Sequence, residues 1–514
     1  MANESRVKKT LLNARVNLIF YFLTLVLSFF SRKIFLDCLG ADFVGLTGTL
    51  QNLLGFLNLA ELGIGGAIGY LLYKPLFDHD ETKINEIISV MGYLYRWIGF
   101  IIIAAGCILS CFLPLIFPDD ETGFHLPLIY FAYFSFLGSS LIGYFINYRQ
   151  NLLGADQKNY VVTAYFQTAN ILKVIVQLIL AYYSGNYYLW VIVEFVFSII
   201  YSIILNWKIN QTYPWLKADV QLGRKVFKKY PEVMVKTKQL FVHKISAFVQ
   251  FQTAPFLVYA FVSLKTVAYY GNYTLIFDKI NILLANLTGS VTAGVGNLIA
   301  EGNRNKIVGV FWELMSARFF LAGIIIFGFY NFMNPFITLW LGSKYVLEST
   351  ILYVLIINFF ISFSRSATDP FLFGYGLFND TWAPVTETVI YLLVSIVAGH
   401  YLGLVGVILG TTVSTGLIIC CWKPTFLFSR GLKLPVLKYW GKWLLMLLLT
   451  VVSIIACSNL LNAILNVDSY KFNGFIISLI VKTIVFSLVL FTLFYLSFSH
   501  FRLFIKRFMK KSNK

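Results

Sequence analysis

Residues 10–38 read TLLNARVNLIFYFLTLVLSFFSRKIFLDC, in which the only charged side chains are Arg15, Arg32, Lys33 and Asp37. About 20 apolar residues rising 1.5 Å each cross the roughly 30 Å of bilayer hydrocarbon, so this run is long enough to span a membrane. It exceeds a signal-peptide core and no small-residue cleavage site follows it, which predicts a retained anchor. Runs of the same kind recur over 43–73, 86–117, 124–148, 159–183, 187–207, 239–264, 267–300, 306–332, 348–374, 380–401, 403–428, 438–460 and 472–499. The expected fold is therefore an all-α polytopic membrane protein with about 14 transmembrane helices. Composition agrees: of 514 residues, 58% are hydrophobic and 12% charged, and the mean hydropathy is +0.75. Ordinary soluble domains carry about twice that share of charge, so a soluble enzyme, a nucleic-acid-binding protein and a disordered chain are excluded.

The net charge of +18 is explained by topology. With the N-terminus inside, 28 of the 41 Lys and Arg fall in or beside the inner segments and 5 beside the outer links. Positive charge is retained on the cytoplasmic side, so both termini are expected there, in a bacterial cytoplasmic (inner) membrane, with no nucleic-acid partner. The outer link at 118–122 (PDDET) is acidic, as this orientation requires.

The largest soluble insertion, 208–238, carries eight basic residues and separates six spans from eight. This predicts an N-lobe over 1–207 (helices 1–6), a basic cytoplasmic linker over 208–238 and a C-lobe over 239–428 (helices 7–12). Two further helices and a basic tail fill 429–514. Transporters built as repeats share such a plan. Residues 65–72 (GGAIGYLL) resemble 292–299 (TAGVGNLI), and 113–117 (LPLIF) resemble 334–337 (NPFI), at corresponding places in the two lobes. The six cysteines have no framework spacing and read as buried thiols between helices. The five histidines form no metal pair, no phosphate-binding glycine loop is present, and neither a cofactor nor a catalytic constellation is expected.

Several spans carry polar stripes. In the first, Asn13, Asn17, Tyr21, Thr24, Ser28 and Ser31 recur at steps of three or four and fall within about 80° of the helix wheel. The second span aligns Thr47, Gln51 and Asn58, with Glu61 at the border. The seventh aligns Gln239, His243, Ser246, Gln250 and Thr253. The eighth has one stripe with Thr274, Asp278 and Asn281 and another with Asn272, Lys279 and Asn286. Polar groups facing lipid cost a few kcal/mol each, so the stripes face other helices or water. Interhelical hydrogen bonding is one reading; a water-filled cavity lined by both lobes is the other.

Arg32 and Lys33 stand in a helix that stays apolar beyond them. Lys33 and Asp37 are in i,i+4 register for pairing, and guanidinium is the side chain that best matches phosphate oxygens in pairs. Anion contact in a cavity and structural pairing or snorkelling both fit this pattern. Lys279 is the other candidate cation on a polar stripe. Glu61, Asp278 and the i,i+4 pair Arg365–Asp369 are candidates for ion coupling, and ion pairing within the bundle fits them equally.

The segments 31–34 (SRKI), 39–46 (LGADFVGL), 59–68 (LAELGIGGAI), 72–76 (LYKPL) and 334–342 (NPFITLWLG) resemble the bacterial polysaccharide transporter, or oligosaccharide flippase, family. That family lies in the multidrug/oligosaccharidyl-lipid/polysaccharide flippase superfamily. The resemblance implies two pseudo-symmetric six-helix lobes around a V-shaped cavity, often with two extra C-terminal helices. It also implies alternating-access translocation of undecaprenyl-diphosphate-linked oligosaccharide repeat units for O-antigen, lipopolysaccharide or capsule synthesis. The expected partners are that lipid-linked oligosaccharide, membrane lipids and the polysaccharide polymerase or assembly machinery. Arg32 is the position matching the cavity arginines near the end of helix 1 in related lipid II flippases, and with Lys33 and Lys279 it is expected to meet the diphosphate. The polar residues expected to line the cavity are Asn13, Asn17, Thr24, Ser28, Gln51, Asn58, His243, Ser246, Gln250, Asn281 and Asn286. A cation-coupled multidrug exporter of the same superfamily, or a membrane-integral polysaccharide polymerase or glycosyltransferase, are the rival readings.

Overall fold

The computed structural model describes residues 6–512 except 62, 119–122, 157, 289–294, 297, 300, 378–379 and 466. All regular structure among these residues is helical. In chain order the main helices are α1 (Arg6–Cys38), α2 (Gly40–Leu57), α3 (Ile64–Asp78), α4 (Glu81–Ser110), α5 (Leu126–Phe145), α6 (Asn159–Ser184) and α7 (Tyr187–Thr212). A short α8 (Val220–Val226) leads into α9 (Pro231–Phe261) and α10 (Leu264–Thr288). Next come α11 (Arg304–Leu341), α12 (Ser349–Arg365), α13 (Trp382–Leu402) and α14 (Leu404–Ser414). The last three are α15 (Val436–Ile464), α16 (Phe472–Ser497) and α17 (Ser499–Ser512). α14 continues into π-helical turns over Thr415–Trp422 and Leu427–Leu432.

Eleven of the described helices are long and apolar enough to cross a membrane, so the chain is a multi-pass membrane protein. Fourteen spans were expected, and the three that fall short are the second, seventh and eighth. Each of these is polar-striped. The second is also divided: α2 ends at Leu57, a tight 3₁₀ turn covers Asn58–Glu61, and α3 starts at Ile64 after Gly63. Gly63 has φ +98°, a conformation in which a side chain is strained, so glycine is what lets the helix stop and restart there.

Two compact units divide the chain, Met1–Ala268 and Tyr269–Lys514. The boundary falls inside α10 and not in a loop, and α9 packs on α2 and α3 within the first unit. Nor is 208–238 a loose connection. α8 lies along α4, Lys217 N donates to Asn85 Oδ1 at 2.6 Å, and Asp219 N donates to Ser89 Oγ at 3.0 Å. Tyr230 Oη donates to Glu86 Oε2 at 2.7 Å, and burial together with that carboxylate holds its hydroxyl above the ordinary tyrosine range.

The core of the first unit gathers Phe43, Leu46, Leu50, Ile88, Met91 and Tyr133 from α2, α4 and α5. In the second unit α11 is the central element, packed against α12, α15 and α16, with Phe327 stacked on Phe486 at 4.1 Å. The 334–342 segment does not follow a helix, as the sequence suggested, but ends one. α11 runs through Pro335 to Leu341 and stops at Gly342, whose φ is +105°. Pro384 lies in the first turn of α13, where a missing N–H costs no helical bond. Three of the six cysteines, Cys107, Cys111 and Cys421, are exposed and not buried, because they lie on the outer faces of their helices.

Candidate functional site

The break in the second span builds the densest polar cluster of the first unit. Glu61 ends the 3₁₀ turn, half-buried, and accepts a hydrogen bond from the Tyr95 hydroxyl of α4. Three residues earlier, Asn58 Oδ1 accepts from Tyr144 Oη at 2.8 Å and from Ser140 Oγ at 3.5 Å, both on α5. The rings of Tyr95 and Tyr144 lie 5.5 Å apart and join the two acceptors into one cluster. A carboxylate and a carboxamide at an unwound turn, where backbone carbonyls leave the helical ladder, form an oxygen-rich setting suited to a small hard cation or a proton. Sequence pattern singled out Glu61 and Asn58 but not Tyr95 or Tyr144. The available signal was that an intramembrane carboxylate requires a donor on a facing helix.

The α1 stripe behaves differently from interhelical glue. Thr24 Oγ1 donates to Phe20 O at 2.7 Å, Ser31 Oγ donates to Ser28 O at 3.3 Å, and Ser28 Oγ donates to Thr24 O. These hydroxyls are satisfied on their own helix, and only 6% of the α1 span is buried. Asn17 is exposed on the same helix; the side chains of Asn13, His243, Ser246 and Asn286 lie outside the described residues.

Arg32 Nη2 donates to Ala268 O at 2.8 Å, tying the end of α1 to the start of α10. Lys33 and Asp37 are both exposed and do not pair, contrary to their register; the nearby acid Asp42 instead meets Lys265 at 3.7 Å. On α2, Gln51 is exposed, and one turn further Gly55 meets Gln252 of α9, whose carboxamide occupies the space a Cβ would need. Phe56 and Phe248 meet edge to face at 6.4 Å beside it, so the striped α2 and α9 adjoin within this unit. Gln250 is half-buried, while Asp278 and Asn281 are exposed on α10 and Lys279 is half-buried.

In the second unit Arg365 Nη1 pairs with Asp369 Oδ1 at 2.6 Å, as the i,i+4 spacing predicted. Arg318 of α11 joins this pair by donating to Ser366 Oγ and stacking over Phe363. A buried Asp380 holds Lys423 Nζ at 2.7 Å. Two charged clusters in the first unit were not assigned by sequence pattern. Lys173 Nζ meets Glu194 Oε1 at 2.7 Å, and Gln177 Nε2 donates to Glu194 Oε2 at 3.2 Å. Arg149 is bound by Asn206 and Asn210.

These helices define an all-α polytopic membrane fold. The chain is similar to a solved lipid II flippase MurJ in an inward closed conformation, with a TM-score of 0.67 and 16% identity over 93% of this chain and 98% of that one. It is similar also to an inward-facing multidrug resistance MATE family transporter of the MOP superfamily, with a TM-score of 0.61 and 13% identity over 82% of this chain and 99% of that one. No family model and no curated protein matches the sequence.

Proposed function

We propose that the protein is a flippase that moves undecaprenyl-diphosphate-linked oligosaccharide repeat units across the bacterial cytoplasmic membrane by alternating access, for capsule or O-antigen synthesis. The observation that carries this reading is the likeness to a lipid II flippase along 93% of the chain. A flippase must pass a polar head group through the hydrocarbon layer while the lipid tail stays in it. The polar-striped second, seventh and eighth spans, which are not among the eleven long apolar helices, supply polar surface for that head group. The inner ends are those bearing the 28 basic residues, with both termini cytoplasmic. Among the parts assigned, helices 1–6 form the N-lobe, helices 7–12 the C-lobe, and the last two helices with the basic tail complete the chain.

In this mechanism Arg32, Lys33 and Lys279 meet the diphosphate. Arg32, whose Nη2 bonds the Ala268 carbonyl, carries the guanidinium geometry that matches phosphate oxygens in pairs. Asn17, Thr24, Ser28, Gln51, Gln250 and Asn281, with Asn13, His243, Ser246 and Asn286, hydrogen-bond the sugar. Glu61, supported by Tyr95 and Asn58, is the coupling carboxylate, ahead of Asp278 and of the Arg365–Asp369 pair, which neutralise each other.

A cation-coupled multidrug exporter is the second reading, favoured by the Glu61 cluster and the likeness to a multidrug transporter. Reconstitution into proteoliposomes with a fluorescent lipid-linked oligosaccharide, scoring leaflet transfer with and without proton and sodium gradients, separates the two. Transfer above protein-free vesicles supports the flippase. No transfer under any gradient, with gradient-driven efflux of an organic cation, overturns it.

A further inference from the structure

α5 and α7 pack side by side in the first unit, and Gly138 allows the Phe195 ring to lie against α5: a Cβ there would sit 2.8 Å from the ring. Two apolar depressions flank this crossing, and both are lined by Gly138 and Phe195. One, of about 470 Å³, runs toward Pro127 and Tyr130 at the start of α5. The other, of about 780 Å³, runs toward Ile203 and Trp207 and ends at Asn206 and Asn210. Together they follow α5 from Pro127 to Ile146, about 30 Å at 1.5 Å per residue. That length is the full hydrocarbon thickness and not one leaflet.

A cation is mounted at the Asn206–Asn210 end. Arg149 Nη1 donates to Asn210 Oδ1 and Nη2 donates to Asn206 Oδ1, both at 2.9 Å. The mount is itself braced. Asn206 Nδ2 donates to Asn147 Oδ1 at 2.9 Å, Ser202 Oγ donates to the same oxygen at 2.7 Å, and Asn147 is only 4% exposed. Carboxamides orient a guanidinium without neutralising it. Among the described residues no carboxylate pairs with Arg149, so its unit charge stays whole beside Asn206 and Asn210, which line the end of the apolar groove.

We propose that this groove seats the chain of a polyprenyl phosphate, with the phosphate on Arg149. Length decides the occupant: a phospholipid acyl chain reaches about the midplane, roughly 15 Å, and fills only the Arg149 half, whereas a long isoprenoid continues past Gly138 into the second depression. Trp207, 58% exposed beside the mount, supplies the amphipathic ring suited to a head-group boundary. The site rests on the flippase reading for its meaning, as a berth for the lipid carrier, but its binding is measured without transport.

The test is native mass spectrometry of the full chain in phosphatidylcholine nanodiscs titrated with undecaprenyl monophosphate. One saturable molecule, retained against a tenfold excess of phosphatidylglycerol, is expected. Arg149→Gln should weaken binding roughly tenfold or more, as loss of a charge-assisted bond predicts. Ile203→Trp, which fills the groove from an exposed position and leaves Arg149 intact, should weaken it similarly, and uncharged undecaprenol should bind wild type as poorly as the phosphate binds Arg149→Gln. Displacement by phosphatidylglycerol, or wild-type affinity in both variants, overturns the proposal. Should Arg149→Gln prove unstable, the Ile203→Trp and undecaprenol arms decide alone. Lost binding with intact flipping refutes only this site; intact binding without flipping refutes only the transport reading.

Discussion

Lys173 and Arg149 belong to the same group of neighbouring elements in the first unit, yet their charges are treated in opposite ways. Lys173 faces Glu194 at 2.7 Å, and Gln177 completes the carboxylate's partners. Arg149 faces two carboxamides. The first arrangement cancels a charge where water is scarce, so it holds helices together and attracts nothing further. The second fixes the direction of a charge while leaving it whole, as a group waiting for an anion requires. This contrast separates scaffold from candidate site better than depth in the membrane does.

The largest break in this comparison should come from Glu194→Ala. It strands Lys173 without its counter-charge, and removing one member of this half-buried pair costs up to about 3 kcal/mol. Thermal unfolding in detergent should show a drop of several degrees, and an unchanged melting temperature would place the pair among solvent-screened contacts. Replacing both members, Lys173→Met with Glu194→Leu, should recover most of that loss, to within about 1 kcal/mol of wild type. A double variant as unstable as the single one would mean that the charges do more than hold helices. Arg32→Ala should cost about 1 to 1.5 kcal/mol for the lost bond to Ala268, while lowering transfer of a labelled lipid-linked oligosaccharide more than tenfold. Normal transfer by well-folded protein would move Arg32 to the scaffold class. Arg149→Gln should change stability least, by under about 0.5 kcal/mol, because a neutral amide can still meet Asn206 and Asn210. A large destabilisation would show that Arg149 is structural after all.

Much of the fold was legible in the sequence because a membrane allows few solutions. The apolar runs, their length and the uneven placement of Lys and Arg each follow from the energetics of moving backbone and charge out of water. The i,i+4 register of Arg365 and Asp369 gave their contact. The same reasoning failed for Lys33 and Asp37, where both side chains reach outward and no packing forces them together. Periodicity likewise shows which face of α9 is polar but not that this helix meets α2 and α3.

The chain by itself determined that this is a many-helix membrane protein and that Glu61, Arg32 and the striped spans are its anomalies, because such statements depend on local composition and on the bilayer as solvent. Only the tertiary structure decided the partners. It joined Glu61 to Tyr95, Lys173 to Glu194 and Arg149 to Asn206 and Asn210, residues 21 to 61 positions apart. Such pairings depend on how helices cross, and a helical repeat carries no information about the rotation of its neighbour.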